Sequence, residues 1–307
     1  MRGRGSFGRC LPILAVALLL AALTGWTRPA SAERFQVTNL VTSDPSANAA
    51  VLTDPDLKNA WGVAATATSS FSVSDNGSGV VTMYQVDAGT DIPTKVDPTI
   101  AIPGVGSVTG QVANPISSGF NGDTFLFVSK DGTISGWQSA LGNHAEVLAT
   151  GLPGNVYTGT TAASINGHGY LYAANFHTGA IDILKGDSGA PNLAGQFTDP
   201  NLPAGFAPFG IQNLGETLYV TYALQDAAGR EDVAGAGNGF VDAFDLQGNL
   251  LGRVGTRGTL NSPWGLAIAP TSFGAVAGDL LVGNFGDGRI NVFDPTAHTF
   301  LGQLSDA

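Results

Sequence analysis

Trp61-Gly62-Val63-Ala64, Phe71-Ser72-Val73-Ser74-Asp75-Asn76-Gly77 and Gly79-Val80-Val81-Thr82-Met83-Tyr84 follow one another near the start of the chain. The same unit returns near its end as Trp264-Gly265-Leu266-Ala267, Leu280-Leu281-Val282-Gly283-Asn284-Phe285-Gly286 and Gly288-Arg289-Ile290-Asn291-Val292-Phe293. Three weaker copies lie between, so the unit recurs about every 45–55 residues, a period that points to a propeller or solenoid. In Phe71-Ser72-Val73-Ser74 and Leu218-Tyr219-Val220-Thr221-Tyr222 apolar residues alternate with small or polar ones, the period of a strand. Thr124-Phe125-Leu126-Phe127-Val128 is apolar nearly throughout, as a strand covered on both faces would be. Asn76-Gly77, Asn121-Gly122, Asp131-Gly132, Asn166-Gly167 and Asp287-Gly288 punctuate the strands with residues that tolerate the positive φ of tight hairpins.

Five units are delimited: 59–87, 114–140, 158–187, 207–248 and 262–300. Each reads as an inner strand, a middle strand, a turn and a third strand. Fourth strands fall in the spacers, for example at Ala145-Glu146-Val147-Leu148. Radially arrayed four-stranded sheets of this length are propeller blades, so the expected fold is an all-β propeller. The run 35–41 is expected to complete the last blade and clasp the ring.

Residues 1–32 read as a secretory leader. Arg2, Arg4 and Arg9 precede an apolar run from Leu11 to Leu23, and Ala30-Ser31-Ala32 is a cleavage pattern. A retained membrane anchor is the alternative, but the run is short and wrongly flanked for one. On this reading one propeller domain spans 33–307, is secreted or extracytoplasmic (periplasm or cell envelope), and has no stable membrane span. Cys10 leaves with the leader, which removes disulfides, thiolate metal sites and thiol nucleophiles. The chain has 13 Lys and Arg against 24 Asp and Glu. Arg2, Arg4, Arg9 and Arg28 also leave, so the mature chain carries 9 bases against 24 acids, a net charge of −15. Such a surface repels phosphate backbones and argues against a nucleic-acid partner.

Longer blocks carry a resemblance. They include Thr38-Asn39-Leu40-Val41, Trp61-Gly62 through Asp75-Asn76-Gly77, and Asp131-Gly132-Thr133-Ile134-Ser135-Gly136-Trp137. Ala174-Asn175-Phe176-His177-Thr178-Gly179, the run 202–213 and the run 278–288 continue it. In these the chain resembles a family of exported bacterial proteins of unknown function, related in architecture to NHL-repeat proteins. The resemblance implies a six-bladed propeller and no particular activity. Family members continue with a further Trp-Gly segment and a final strand, which this sequence lacks.

The chain has no G-x-S-x-G elbow, no H-E-x-x-H, no Walker loop, no Rossmann fingerprint and no EF-hand spacing. The candidate site is positional. Polar residues recur where the middle strand ends: Asp75 and Asn76, Lys130 and Asp131, Asn175 and His177, Gln225 and Asp226, Asn284 and Asp287. Equivalent positions in a radial array share one face. Asp75, Asn76, Asn175, His177 and Asn284 are therefore candidate ligand-binding residues, and Asp75, Asp226 and Asp287 candidate ligands for a divalent metal such as calcium. His177 and Asp226 are candidate proton-moving groups. The other reading is that these residues cap hairpins. The insertion 225–239 carries three acids and is long enough to bind Ca²⁺ or to flap over the channel; a solvated loop is its plain alternative. Trp61, Trp264 and Phe209 share one place in three units and are expected to pack between blades, with saccharide stacking as the alternative. Two functions follow: a module that binds a small molecule, glycan or protein at the propeller face, or a divalent-metal-dependent hydrolase or lyase of the NHL or lactonase type. The sequence does not decide whether the chain is an enzyme.

Overall fold

The computed structural model describes residues 34–66 and 70–306. The leader reading, Cys10 included, falls outside the described residues, and among those described no helix is long and apolar enough to cross a membrane. Each of the five units forms one antiparallel blade. The blades are Ala60–Ala64, Phe71–Asp75, Val80–Val86 and Pro93–Ala101; Val108–Ala113, Phe125–Ser129, Thr133–Trp137 and Glu146–Thr150; Tyr157–Ile165, His168–Asn175 and Ala180–Lys185; Phe206–Leu214, Thr217–Leu224, Gly239–Asp245 and Leu250–Thr256; and Pro263–Ile268, Leu280–Asn284, Ile290–Asp294 and Thr299–Gln303. Four blades have four strands and the third has three. Asn166-Gly167 joins two strands of the third blade with φ of 52° and 83°, and Ile165 pairs with His168 across it. That two-residue loop is the one Asn-Gly calls for.

Each junction between consecutive blades has its own apolar cluster. Val81, Met83 and Ile100 meet Phe125, Phe127 and Trp137 between the first and second blades. Phe120, Leu126 and Val128 meet Tyr157 and Leu171 between the second and third. Tyr170 and Tyr172 meet Ile211, Leu218 and Phe240 between the third and fourth. Val241 and Val254 meet Leu280, Val282 and Phe293 between the fourth and fifth. Sheets buried on both faces explain the nearly continuous apolar strands.

The innermost strands share a detail that strand periodicity does not show. Each carries one extra residue against its neighbour: between Ala60 and Val63, Val108 and Gln111, Tyr157 and Gly159, Pro208 and Gly210, and Pro263 and Gly265. A bulge re-aims the side chain at the extra position. In every blade a glycine closes the bulge: Gly62, Gly110, Gly159, Gly210 and Gly265. The first four lie against the next blade's backbone. A Cβ on Gly62 would sit 2.8 Å from the Thr109 carbonyl oxygen, one on Gly110 2.5 Å from the Thr160 nitrogen, and one on Gly159 3.0 Å from Gly210 Cα. A Cβ on Gly210 would collide with the Trp264 carbonyl. Gly265 has no described atom within 4 Å of that position. Among the described residues the junction between the fifth and first blades is therefore an open seam at this position.

The run 35–41 is not one strand. Arg34–Phe35 pairs in parallel with Ser305–Asp306, while Val41–Thr42 pairs in parallel with Leu52–Thr53. A clasp between the two ends of the described residues exists, but as a separate two-stranded ribbon rather than a member of the fifth blade's sheet.

Candidate functional site at the channel mouth

The bulges turn Trp61, Phe209 and Trp264 toward the axis at the end where the second strands finish. Trp61 meets Trp264 edge to face at 5.6 Å between ring centroids, lies 6.0 Å from Phe209 and is 4.9 Å from Phe285. Phe209 also packs against Phe176 at 5.1 Å and Phe285 at 5.7 Å. The Trp264 indole N–H reaches the third blade and donates to the Thr158 carbonyl at 2.9 Å. The Trp61 indole N–H is buried and has no acceptor among the described residues. Phe176 and Phe209 are fully buried, whereas Phe285 is 46 % exposed. The result is an aromatic floor whose upper rings face solvent. Behind it lies a cavity of about 220 Å³, lined by the five bulge glycines with Gln111, Thr160 and Gln212.

The insertion in the fourth blade crosses this mouth. Lys130 of the second blade pairs with Glu231 of the insertion at 2.5 Å, and its ammonium lies 5.9 Å from the Trp61 ring centroid. His177 Nδ1 of the third blade is 3.3 Å from the Gly229 carbonyl oxygen. Gln225 donates its side-chain amide to the Phe176 and His177 carbonyls. Asp226 folds the strap on itself by accepting the amides of Arg230 at 2.8 Å and Glu231 at 3.3 Å, which hold its carboxyl below the usual carboxylate range. The far end is tied by the Gly235 amide to Asn261 at 2.6 Å. Of the three readings open to this insertion, its contacts match a strap over the mouth.

The sequence-predicted residues divide. His177 and Asp226 belong to the strap contacts. Asp75, Asn175 and Asn284 are buried within their blades. Each bonds the residue seven positions on, in the adjacent strand: Thr82 donates to Asp75 at 2.7 Å, Asn175 donates to Asp182 at 2.9 Å, and Asn291 donates to Asn284 at 3.0 Å. Asn175 and Asn284 also accept the amides of Val156 and Asn261, the segments leading into their own inner strands, at 3.3 and 3.2 Å. Asn76 bridges to the second blade through the Val108 carbonyl at 3.0 Å. Asp287 accepts from Asn284 at 3.0 Å and from the Arg289 amide at 3.1 Å. These contacts latch strand ends together, as the capping alternative requires. Burial pushes the Asp75 carboxyl up to about 7, against the Thr82 hydroxyl, which favours the ionised form. Among the described residues no group of three or more His, Cys, Asp or Glu is arranged to hold a metal ion.

Sequence reasoning overlooked Lys130 and Glu231 as a pair and Phe285 as part of the floor. The local signal for Phe285 was its own aromatic-Gly dipeptide, Phe285-Gly286, at the end of a middle strand; the Lys130–Glu231 pair, 101 positions apart, leaves none.

No family model matches the chain. Among curated proteins it is 32 % identical over 269 residues to uncharacterized protein R648 of Acanthamoeba polyphaga mimivirus, covering 80 % of this chain and 64 % of that protein. It is 38 % identical over 129 residues to uncharacterized protein L690 of the same virus, covering 40 % of this chain and 34 % of that one. The chain thus spans less than two thirds of the length of these relatives. Among solved structures, a chain of a nidogen–laminin complex superposes with a TM-score of 0.50 at 14 % identity, covering 81 % of both chains, a likeness of fold alone. A structure provisionally assigned as a 6-phosphogluconolactonase of Bacteroides uniformis gives 0.48 at 16 % identity, over 80 % of this chain and 70 % of that one.

Proposed function

We propose that this chain is an exported ligand-binding propeller that takes a ring-bearing small molecule or glycan at the strapped channel mouth. The observation that carries this reading is the floor of Trp61, Trp264 and Phe285, held open to solvent beneath a loop anchored on three blades. Aromatic rings with one free face stack on the apolar faces of sugars and other flat ligands, and a nearby paired Lys130 and Glu231 supply polar contacts at the edge. The leader pattern in residues 2–32 supports an extracytoplasmic setting. Catalysis is not part of the proposal: His177 and Asp226, the proton-moving candidates, are engaged in the strap, and the buried Asp75, Asn175 and Asn284 are committed to strand latches.

Tryptophan fluorescence tests it directly, since Trp61 and Trp264 both lie at the mouth while Trp137 is buried within its junction. Titration with cello- and chito-oligosaccharides should give a saturable change that Phe285→Ala abolishes. A flat response to the whole panel, or a response indifferent to Phe285→Ala, counts against the mouth as the site. Elemental analysis of the same protein, with melting before and after a chelator, checks the metal-dependent alternative.

A further inference from the structure

A second cleft lies on the rim, between the outer strand of the fourth blade and the third and outer strands of the fifth. Its volume is about 350 Å³, and Arg253, Arg257, Thr259, Phe293, His298 and Phe300 are among its lining residues. Two guanidinium groups enter it in different states. Arg253 is neutralised by Asp199 and Asp242 and lies 4.7 Å from the Phe240 ring centroid. Arg257 rests on the Phe206 and Phe240 rings at 5.4 and 5.3 Å and has no carboxylate partner among the described residues. Stacking fixes the plane of a guanidinium and leaves its N–H edge free for a planar or tetrahedral anion. The backbone adds to this. Arg257 and Gly258 are both left-handed, with φ of 51° and 60°. Among the described residues the amides of Gly258 and Thr259 donate to no protein acceptor. Successive free amides in such a turn form an anion-binding concavity. Across the cleft Phe293 is buried and Phe300 is 48 % exposed, 5.5 Å apart between ring centroids. His298 stands beside them, also left-handed at φ 54°. Asp294, whose backbone carbonyl accepts the His298 amide at 2.9 Å, has a carboxylate occupied by the amides of Thr296 and Ala297, both at 2.8 Å.

We propose that this rim cleft binds a small organic anion, its carboxylate or phosphate on Arg257 and the Gly258–Thr259 amides and its apolar body on Phe300. The site is separate from the channel mouth. Calorimetric titration of the mature protein at low salt with phenyl phosphate is the test, with inorganic phosphate and benzoate as companions. Phenyl phosphate should bind once per chain and more tightly than inorganic phosphate. Arg257→Gln should weaken it by about tenfold or more, the loss of one charge-assisted contact. Arg257→Lys should fall between, and Phe300→Ser should weaken phenyl phosphate but not inorganic phosphate. Arg289→Gln, an exposed arginine outside the cleft, should leave binding unchanged. Absence of saturable heat overturns the proposal, as does equal affinity in Arg257→Gln or equal affinity for inorganic and phenyl phosphate. Benzoate binding comparable to phenyl phosphate assigns the site to anions generally; its failure restricts the site to phosphates.

Discussion

The four sealed junctions and the open seam are built from the same repeat, yet they differ in what the repeat meets. At a sealed junction the bulge glycine lies under the next blade's backbone and an apolar cluster fills the space outward from it. At the seam, Gly265 meets nothing described, and the facing side of the first blade exposes Val63 and Phe71 at 60 and 48 %. Among the described residues, the aromatic contact of Trp61 with Trp264 and Phe285 spans it at the mouth. The rings of the candidate site are thus also the rings that bridge the seam, so the site sits where blade-to-blade packing is weakest. A ligand stacked there would touch both sides of the opening.

The largest effect expected is from a methyl group at a sealed junction. Gly210→Ala pushes a Cβ into the Trp264 carbonyl, and neither backbone can move without disturbing its sheet. A cost of about 3 kcal/mol or more is expected, the upper range for overpacking a filled interior. Gly265→Ala should change stability by less than about 0.5 kcal/mol, as at an unconstrained surface position. Chemical denaturation of the two variants reads both. If Gly265→Ala costs as much as Gly210→Ala, the seam is filled in solution and the contrast collapses.

A second contrast separates the latches from the mouth. Asn284→Ala removes the acceptor for the Asn261 amide and the Asn291 side chain and the donor to the Thr259 carbonyl, all around a buried position. Groups left unpaired in this way cost about 1–3 kcal/mol, so a loss of roughly 2–3 kcal/mol is expected. Phe285→Ala, at the exposed edge of the floor, should cost less and act on ligand binding. The reverse ranking would make the mouth a structural plug.

Asp75 occupies the latch position that Asn fills in the third and fifth blades, and its charge makes the difference measurable. Below about pH 3.8 both folded and unfolded chains hold this proton; from there to about 7 the folded chain retains it while the unfolded chain does not. The folded state binds more protons in that window, so its stability declines as pH rises through it. Asp226 and Asp294, whose carboxyls are held down by backbone amides, act oppositely and lose their contribution toward acid. Asp75→Asn keeps an acceptor for Thr82 and removes the titration. It should raise stability by roughly 1–2 kcal/mol at pH 8 and change little at pH 4, in melts recorded at both. An equal shift at both pH values would mean that the buried charge is not what distinguishes this blade.

The blades were legible because the information is local. Alternation in Phe71-Ser72-Val73-Ser74 sets the strand, and Asn166-Gly167 sets its hairpin without help from distant residues. The site was only half legible. Asp75, Asn175 and Asn284 share one place in their blades, as position suggests, but which way they face depends on pairing with Thr82, Asp182 and Asn291, and turn chemistry selects the same residue types either way. Packing of Trp61 and Trp264 between blades is legible from their shared place in the repeat and holds in the structure; their position at the mouth is not, because a one-residue bulge, which re-aims them, leaves no mark on a period of two. The pairing of Lys130 with Glu231 joins residues 101 positions apart, beyond any local pattern.

The smallest effect expected falls on that pair. Glu231 is largely exposed, so Glu231→Gln should alter global stability by less than about 0.5 kcal/mol. Its effect should be local. Without the ion pair, the strap keeps its tie to Asn261 and its contact with His177 but loses its hold on the second blade. Amide exchange should then quicken in residues 226–233 and stay unchanged in the inner strand Val108–Ala113. Raised salt should do the same to the wild-type chain, because an exposed pair is screened. If exchange in the strap is indifferent to both, Lys130 is placed by the Trp61 ring rather than by Glu231. The strap would then rest on two blades, and the second blade's side of the mouth would be open to ligand without any loop movement.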